Sequence, residues 1–76
     1  MKNTIRGFFG TELDKNSIGD DDSLLMAGII DSLKMMDLIA YLEKEFGVSI
    51  DDDELMPENF DSIDAITEFI TDKKAA

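Results

Sequence analysis

The side chains available for chemistry in this sequence are carboxylates, hydroxyls and lysines, because it contains neither Cys nor His. Their absence removes disulfides, Cys and His nucleophiles, an imidazole base and the usual zinc ligands. One hydroxyl stands out by its position: Ser32 lies between Asp31 and Leu33, where the most strongly periodic helical segment begins. Asp or Ser there is an ordinary helix N-cap. The same place also favours a bound phosphate, since free backbone N–H groups point outward where a helix starts.

The helix that must position Ser32 is predicted to run from Asp31-Ser32 to Phe46, with Gly47 at the position where a left-handed residue ends a helix. At about 100° per residue, one face is apolar enough to enter a core. That core face is formed by Met35, Leu38, Ile39, Leu42 and Phe46.

The opposite face of this helix carries a second, weaker apolar stripe with charges beside it. This outward stripe consists of Leu33, Met36, Asp37, Ala40 and Lys44, with Glu43 at its edge. A central bundle helix often buries two faces, so the stripe could pack under a loop or another helix. The alternative is a partner-binding patch that is apolar at its centre and charged at its rim.

The rest of the chain reads as two further helices and a short one, with no strand-like alternation. The first main helix is predicted over residues 3–13 and the last from residues 61–62 to 73. Between them we expect a polar loop over 14–23, an apolar segment over 24–30 lying on the core, a single turn near 51–54 and an irregular connection at Pro57. The predicted core draws on all main helices: Ile5, Phe8, Phe9, Leu38, Leu42, Phe46, Ile66 and Phe69. This is an all-α, small four-helix bundle with three main helices and one short one.

Composition narrows the class of partners. The chain has 76 residues, 18 acidic against 7 basic, and a net charge of −11. Such a surface repels nucleic acid and anionic lipid and suits proteins with basic patches. No segment resembles a signal peptide or a membrane span. We therefore expect a single domain over residues 1–76, monomeric and cytoplasmic, that binds no nucleic acid and does not span a membrane.

Three stretches of the sequence together carry a resemblance to a known family. GIIDSL at residues 28–33 resembles the attachment motif of the acyl and peptidyl carrier proteins. YLEKEFGV at 41–48 is similar to their second helix, and DELMPENFDSI at 53–63 is similar to the third-to-fourth helix segment of several stand-alone members. The resemblance covers essentially the whole chain and agrees with its length, acidity and helix order.

The resemblance implies a carrier of acyl or aminoacyl groups. We expect no enzyme activity of its own, because the chain is too small and too poor in acid–base groups to build a catalytic pocket. A phosphopantetheinyl transferase would move a 4′-phosphopantetheine arm from coenzyme A to Ser32, and Asp31 would help present Ser32 and engage the transferase or its metal. The arm ends in a thiol, which explains how a chain without Cys could hold thioesters. Further implied partners are an acyl- or aminoacyl-loading ligase or transferase and condensing or tailoring enzymes.

The resemblance also bears on the outward stripe and on the pathway. Positions that touch partner enzymes in the family match Leu33, Met36, Asp37, Ala40 and Glu43. Two features depart from the fatty-acid carriers: Lys34 and Lys44 stand at positions that are often acidic, and Gly-Ile-Ile-Asp replaces the common Gly-Ala-Asp before the serine. A specialised pathway of the fatty-acid, polyketide or nonribosomal-peptide type is therefore expected, with the two lysines helping to choose the partner.

Two alternatives without a prosthetic group remain open at this point. Asp14, Asn16 and Gly19 fit positions 1, 3 and 6 of a calcium loop, but Ile18 fails position 5 and Leu25 replaces the bidentate acid. The other alternative is an acidic protein-interaction module, such as a mimic of nucleic acid, which would use the same charge but would not need Ser32.

Overall fold

The computed structural model describes residues 2–75, and all regular secondary structure in this part of the chain is helical, as predicted. Three helices are long, and they are joined by three short elements where the sequence predicts one. In order, the elements are α1 (Lys2–Phe9), α2 (Glu12–Lys15), α3 (Ser32–Phe46), a 3₁₀ turn (Asp52–Glu54), α4 (Pro57–Phe60) and α5 (Ile63–Ala75). Within this described part, no helix is both long and apolar enough to cross a lipid bilayer.

Helix α3 has the ends that its sequence predicts. Asp31 is the N-cap, in an extended conformation, and its side chain accepts a hydrogen bond from the backbone N–H of Lys34. At the other end Gly47 adopts a left-handed conformation with φ of 65°, and its N–H donates to the carbonyl of Glu43. The glycine has no Cβ to oppose this conformation, so α3 stops at Phe46.

The first helix is shorter than predicted, because the chain turns at Gly10. The prediction of one helix over residues 3–13 is wrong: α1 ends at Phe9, Gly10 has φ of 61°, and α2 then forms a single turn. The Gly10 N–H donates to the carbonyl of Gly7 at 3.2 Å. A left-handed glycine interrupts the helical hydrogen-bond ladder, but Leu13 beyond it is still buried. The chain therefore changes direction at Gly10, but Leu13 still joins Ile5 and Phe9 in the core.

The segment between α3 and α5 is more regular than predicted. Asp51 and Glu54 form a reciprocal capping box around the 3₁₀ turn. Pro57, predicted to mark an irregular connection, instead occupies the first turn of α4, where its missing N–H costs nothing. α4 lasts one turn and buries Phe60, and α5 begins at Ile63, one residue after the predicted start.

The core is a single cluster to which every main helix contributes. Five of the eight predicted core residues are buried: Ile5, Phe9, Leu38, Leu42 and Ile66. The other three, Phe8, Phe46 and Phe69, are half-buried and pack against the edge of the cluster. Branched aliphatic side chains and Phe60 of α4 fill the centre of the core instead. The remaining buried residues are Leu13, Leu24, Ile30, Ile39, Phe60, Ile63 and Ile70. Of these, Ile39 belongs to the core face predicted for α3, and Leu24 and Ile30 belong to the segment predicted to lie on the core.

Helices α1 and α3 are joined at a seam of aromatic rings. The hydroxyl of Tyr41, in α3, donates to the carbonyl of Thr4 in α1 at 2.9 Å. The ring of Phe8 lies 5.0 Å from that of Tyr41 and 5.1 Å from that of Phe9. Helix α5 contacts α1 and α4 on the other side of the core. The contacts of Tyr41 with Thr4 and Phe8 hold the middle of α3 against α1.

Candidate functional site

Ser32 is the first residue of α3 and is exposed to solvent. Asp31 precedes it, and Asp31 Oδ1 accepts the backbone N–H of Lys34 at 2.8 Å. The carbonyl of Asp31 accepts the N–H of Met35 at 2.8 Å, the first bond of the helix. Asp31 thus fixes the backbone on both sides of Ser32, so the hydroxyl is presented from a rigid turn.

Two backbone donors beside the Ser32 hydroxyl remain free. Within residues 2–75, the N–H groups of Ser32 and Leu33 have no hydrogen-bond acceptor, as expected for the first turn of a helix. Free amides and the helix dipole together favour a negatively charged group here. The site therefore fits a phosphate ester on Ser32.

The loop that precedes Ser32 is anchored in the core by Leu24, which is fully buried. The Leu24 carbonyl accepts the N–H groups of Ile29 at 2.9 Å and Ile30 at 3.4 Å. Gly28 makes the intervening turn with φ of 74°, where a side chain would introduce strain. The prediction that segment 24–30 lies on the core is confirmed for Leu24 and Ile30, which are buried, and for the half-buried Ile29, but it is wrong for Leu25 and Met26, which are 40% and 89% exposed. The segment leads the chain to Asp31.

Asp61 ties this loop to the start of α5, and the sequence reasoning missed it. Asp61 Oδ1 accepts the hydroxyl of Ser23 at 2.7 Å and the N–H of Leu25 at 3.2 Å. The Asp61 carbonyl accepts the N–H of Leu24, and the Ser23 hydroxyl in turn accepts the N–H of Met26. No local pattern marks this role, because Asp61 and Ser23 are 38 residues apart in sequence. One carboxylate thus holds the first half of the loop that leads to Ser32.

An open groove runs beside Ser32, with a volume of about 390 Å³. Its walls come from the loop, from the first turn of α3 and from the segment before α4. The lining residues are Leu25, Asp31, Ser32, Met35, Leu55 and Pro57. Four of these six side chains are apolar, so the groove can take an apolar group attached near Ser32.

The outward stripe is exposed, as the docking interpretation requires. Leu33 is 79% exposed and Met36 60% exposed, and Asp37, Ala40 and Lys44 are exposed as well. No loop or helix among the described residues covers them. The alternative that the stripe is a second buried face is therefore wrong for this structure.

Two residues assigned to the same face have partners inside the chain. Glu43 is half-buried, and its Oε2 accepts the N–H of Ile50 at 2.9 Å. The ammonium of Lys34 lies 4.8 Å from the centre of the Phe8 ring, a cation–π contact. The stripe therefore displays Asp37 and Lys44 most freely, whereas Glu43 and Lys34 are partly engaged at its edges.

Exposed apolar side chains gather around Ser32. In the described part of the chain, the large hydrophobic residues exposed to solvent are all groove-lining residues or their immediate neighbours in sequence. They are Leu25, Met26, Leu33, Met36 and Met56. We call these five residues the apolar collar. Exposed apolar side chains that line a groove or adjoin its lining residues are typical of an interaction site.

Basic side chains pair with members of the acidic segments. Arg6 Nη1 contacts Asp20 Oδ1 at 2.8 Å, and Lys2 Nζ contacts Asp64 Oδ1 at 2.7 Å. The hydrogen bond to Asp64, with the attraction of that carboxylate, raises the pKa of Lys2 above its usual value. Within residues 2–75, no group of three or more acidic side chains is arranged to hold a metal ion.

A second acidic segment is anchored at Glu54, in the 3₁₀ turn. Lys73 Nζ donates to Glu54 Oε1 at 2.6 Å, and the Asp51 N–H donates to the same oxygen at 3.0 Å. The hydrogen bond from Lys73 and then that from Asp51 lower the pKa of Glu54 below its usual value. Like charges stand side by side in segments 20–22 and 51–54, and Asp20 and Glu54 each have a basic partner that offsets this repulsion.

The sequence of this chain matches one known protein family. The sequence profile of the phosphopantetheine attachment site family matches residues 2–70. A search of curated protein sequences gives no match. The match spans nearly the whole chain and includes the exposed serine at the start of α3, the free amides beside it and the groove. The chain belongs to the phosphopantetheine attachment site family, whose members are carrier proteins with a covalently attached 4′-phosphopantetheine.

Proposed function

We propose that Ser32 is the attachment site of this arm, and that the protein carries acyl or aminoacyl intermediates on it as thioesters. The observation that carries the proposal is the exposed Ser32 hydroxyl on the first turn of α3, flanked by the free N–H groups of Ser32 and Leu33. The amides would donate to the phosphate of the arm, which is the charge that a helix N-terminus favours.

In the loading reaction the residues of this chain have distinct tasks. The Ser32 oxygen would attack the pantetheine-bearing phosphorus of coenzyme A, lose its proton to a base of the transferase and displace the nucleoside phosphate portion. Asp31 holds the backbone of this turn through the Lys34 N–H. Its second carboxylate oxygen has no hydrogen bond within residues 2–75, so it is free to approach the transferase or the metal ion of that enzyme.

The cargo is proposed to be an acyl or aminoacyl group joined to the thiol of the arm. The chain has no Cys, so the arm supplies the only thiol available for a thioester. The groove of about 390 Å³ beside Ser32 offers apolar contact to such a group through Leu25, Met35 and Leu55. The carrier would then release the group into the sites of condensing or tailoring enzymes.

The proposed docking surface is the outward stripe extended by the apolar collar. Leu33 and Met36 provide apolar area close to Ser32, and Asp37 provides a free negative charge at the rim. A net charge of −11 favours partners with basic surfaces, both in approach and in contact. The partners are therefore a phosphopantetheinyl transferase, a loading ligase or transferase, and condensing or tailoring enzymes with basic, partly apolar docking faces.

We propose a specialised pathway of the fatty-acid, polyketide or nonribosomal-peptide type for this single-domain, non-enzymatic carrier. Lys44 is exposed on the outward stripe, where it would repel a basic enzyme surface. Lys34 flanks the stripe and is held against Phe8. A monomer in the cytoplasm is the state proposed for the carrier, since its partners must reach the whole collar.

The test is the intact mass of the protein after incubation with coenzyme A, magnesium and a broad-specificity phosphopantetheinyl transferase. We expect one arm per chain in the wild type and none in Ser32→Ala. Ser49→Ala is the matched control, because Ser49 is also exposed but lies in the loop after α3. Full modification of Ser32→Ala, or an unmodified wild type, would overturn the assignment.

A further inference from the structure

Three of the five members of the apolar collar are methionines. Met26 is 89% exposed, Met36 60% and Met56 48%. They lie on three separate elements: the loop before α3, α3 itself and the residue before α4. The chain has five methionines in all, so most of its thioethers are concentrated around Ser32.

Methionine suits a surface that must fit several partners in turn. Its side chain is unbranched, has three rotatable bonds and carries a polarizable sulfur, so it adapts to differently shaped pockets. Methionine is enriched at protein interfaces for related reasons. The same thioether is chemically the most oxidisable group left in a protein without Cys.

We infer that Met26, Met36 and Met56 are reversible oxidation sites that weaken docking at Ser32 when converted to sulfoxides, an inference that rests on the function proposed above. The oxidant is a hydroperoxide. A sulfur lone pair attacks its terminal oxygen, the S–O bond forms as the O–O bond breaks, and the proton of the attacked oxygen passes to the remaining oxygen, which leaves as water or an alcohol. Each sulfur loses two electrons and the peroxide gains them, and sulfoxide reductases reverse the change with two electrons and two protons from a dithiol, releasing water.

The fold does not depend on these three side chains. None of the buried residues of the core is a methionine. Met35 differs, because it is half-buried, packs against the core and lines the groove. Peroxide should therefore reach Met26, Met36 and Met56 before Met35, and their oxidation should leave the helices and their packing intact.

Docking, in contrast, requires the collar to lose its water. A sulfoxide places a strongly polar oxygen against the apolar part of an enzyme surface. Removing water from that oxygen is costly unless the enzyme offers it a hydrogen-bond donor. We expect the transferase to load the oxidised protein roughly tenfold less efficiently, mainly through a higher KM. A rate lost through KM points to docking, because the Ser32 hydroxyl itself is unchanged.

The experiment treats the intact chain, before loading, with hydrogen peroxide and then removes the peroxide with catalase. Peptide mapping by mass spectrometry identifies the oxidised methionines, and a thermal melt followed by circular dichroism reports the fold. The loading rate is then measured with a phosphopantetheinyl transferase over a range of carrier concentrations. The matched control is the triple variant Met26→Leu, Met36→Leu and Met56→Leu, which keeps the apolar area and cannot be oxidised there.

The inference predicts that peroxide raises KM for the wild type about tenfold, that a sulfoxide reductase restores it, and that the triple variant is unaffected. Equal loading of the oxidised and untreated wild type would overturn it. So would the same loss in the triple variant, which would point to Met35 or another residue, and so would a collapsed melt. Failure of the untreated wild type to be loaded at all would instead refute the function proposed for Ser32.

Discussion

Helix α3 has two apolar faces of similar composition, one of which is buried and the other exposed. Leu38 and Leu42, on one face, are fully buried, whereas Leu33 and Met36, on the other, are 79% and 60% exposed. Hydrophobicity alone does not separate them, because both faces carry leucine and methionine. The difference is coverage: the core cluster closes over the first face, and the described chain leaves the second open. Apolar area that folding leaves uncovered next to Ser32, the proposed attachment site, is therefore the feature of this molecule that most strongly indicates binding partners.

The largest expected effect is on the buried face. Leu42→Ala should lower the free energy of unfolding by about 2–5 kcal/mol, because it removes buried methyl groups and leaves a cavity in a small core. Chemical denaturation followed by circular dichroism measures this. A variant as stable as the wild type would mean that Leu42 is not part of the core.

The corresponding change on the open face should leave the fold intact. Met36→Asp should melt within a few degrees of the wild type but reduce kcat/KM of partner enzymes at least tenfold, since a charge replaces apolar contact near Ser32. The measurements are a thermal melt and turnover with each partner. A collapsed melt would show that the outward stripe contributes to the core after all, which would remove the contrast between the two faces.

A substitution at Asp61 shows whether the exposed face of α3 depends on a well-ordered loop before Ser32. Asp61→Ala removes the acceptor for the Ser23 hydroxyl and the Leu25 N–H and should cost about 1–3 kcal/mol. Hydrogen exchange at Leu25 and Met26 should rise more than exchange in α3 or α5, and loading of Ser32 should slow. Asp61→Asn keeps an acceptor oxygen and should recover part of both effects. Uniformly faster exchange throughout the chain would instead assign Asp61 a general role in stability.

Charge at the rim of the open face should have smaller effects. Lys34→Asp with Lys44→Glu should improve use by housekeeping fatty-acid enzymes and impair use by the native partner, by roughly twofold to fivefold per charge. Lys44→Glu should supply most of the change, because Lys34 is held over Phe8. Steady-state kinetics with both kinds of enzyme decides the point. An unchanged preference in the double variant would remove the lysines from partner selection.

The smallest effect concerns an ion pair between the 3₁₀ turn and α5, outside α3. The pKa of Glu54 is lowered in the folded state, so its pairing with Lys73 stabilises the fold above the unfolded pKa and loses this effect as the pH falls through the folded pKa. The melting temperatures of the wild type and Glu54→Gln should therefore differ near neutral pH and converge below about pH 4. Glu58→Gln, at an exposed acid in α4, is the control. A difference between Glu54→Gln and the wild type that persists in acid would contradict the role of the charge.

The parts of this structure that local sequence determines were predicted well. Helix α3 follows from its apolar periodicity, from Asp31 at its start and from Gly47 at its end, and all three features are found in the structure. The position of Ser32 follows from the same features. In such a case the residues that define the element are neighbours, so the pattern contains the information needed.

The parts that were missed depend on contacts between distant residues or on elements too short to show a period. Helix α4 is only one turn long, so its sequence is too short to show the apolar periodicity that would predict the burial of Phe60. The Asp61 contact with Ser23 and the Lys34 contact with Phe8 depend on how separate helices pack, which the sequence does not specify locally. The break at Gly10 is an intermediate case, because the glycine permits a turn without requiring one.

The seam between α1 and α3 gives the protein a built-in optical reporter. Tyr41 is its sole tyrosine and it has no tryptophan, so ultraviolet emission excited near the tyrosine band arises from one ring. That ring is half-buried, with its hydroxyl hydrogen-bonded to the Thr4 carbonyl and its face beside Phe8. Separation of α1 from α3 would expose the phenol to water and alter its emission. Unfolding, and any loosening of this seam when an enzyme binds, can therefore be followed in the unlabelled protein.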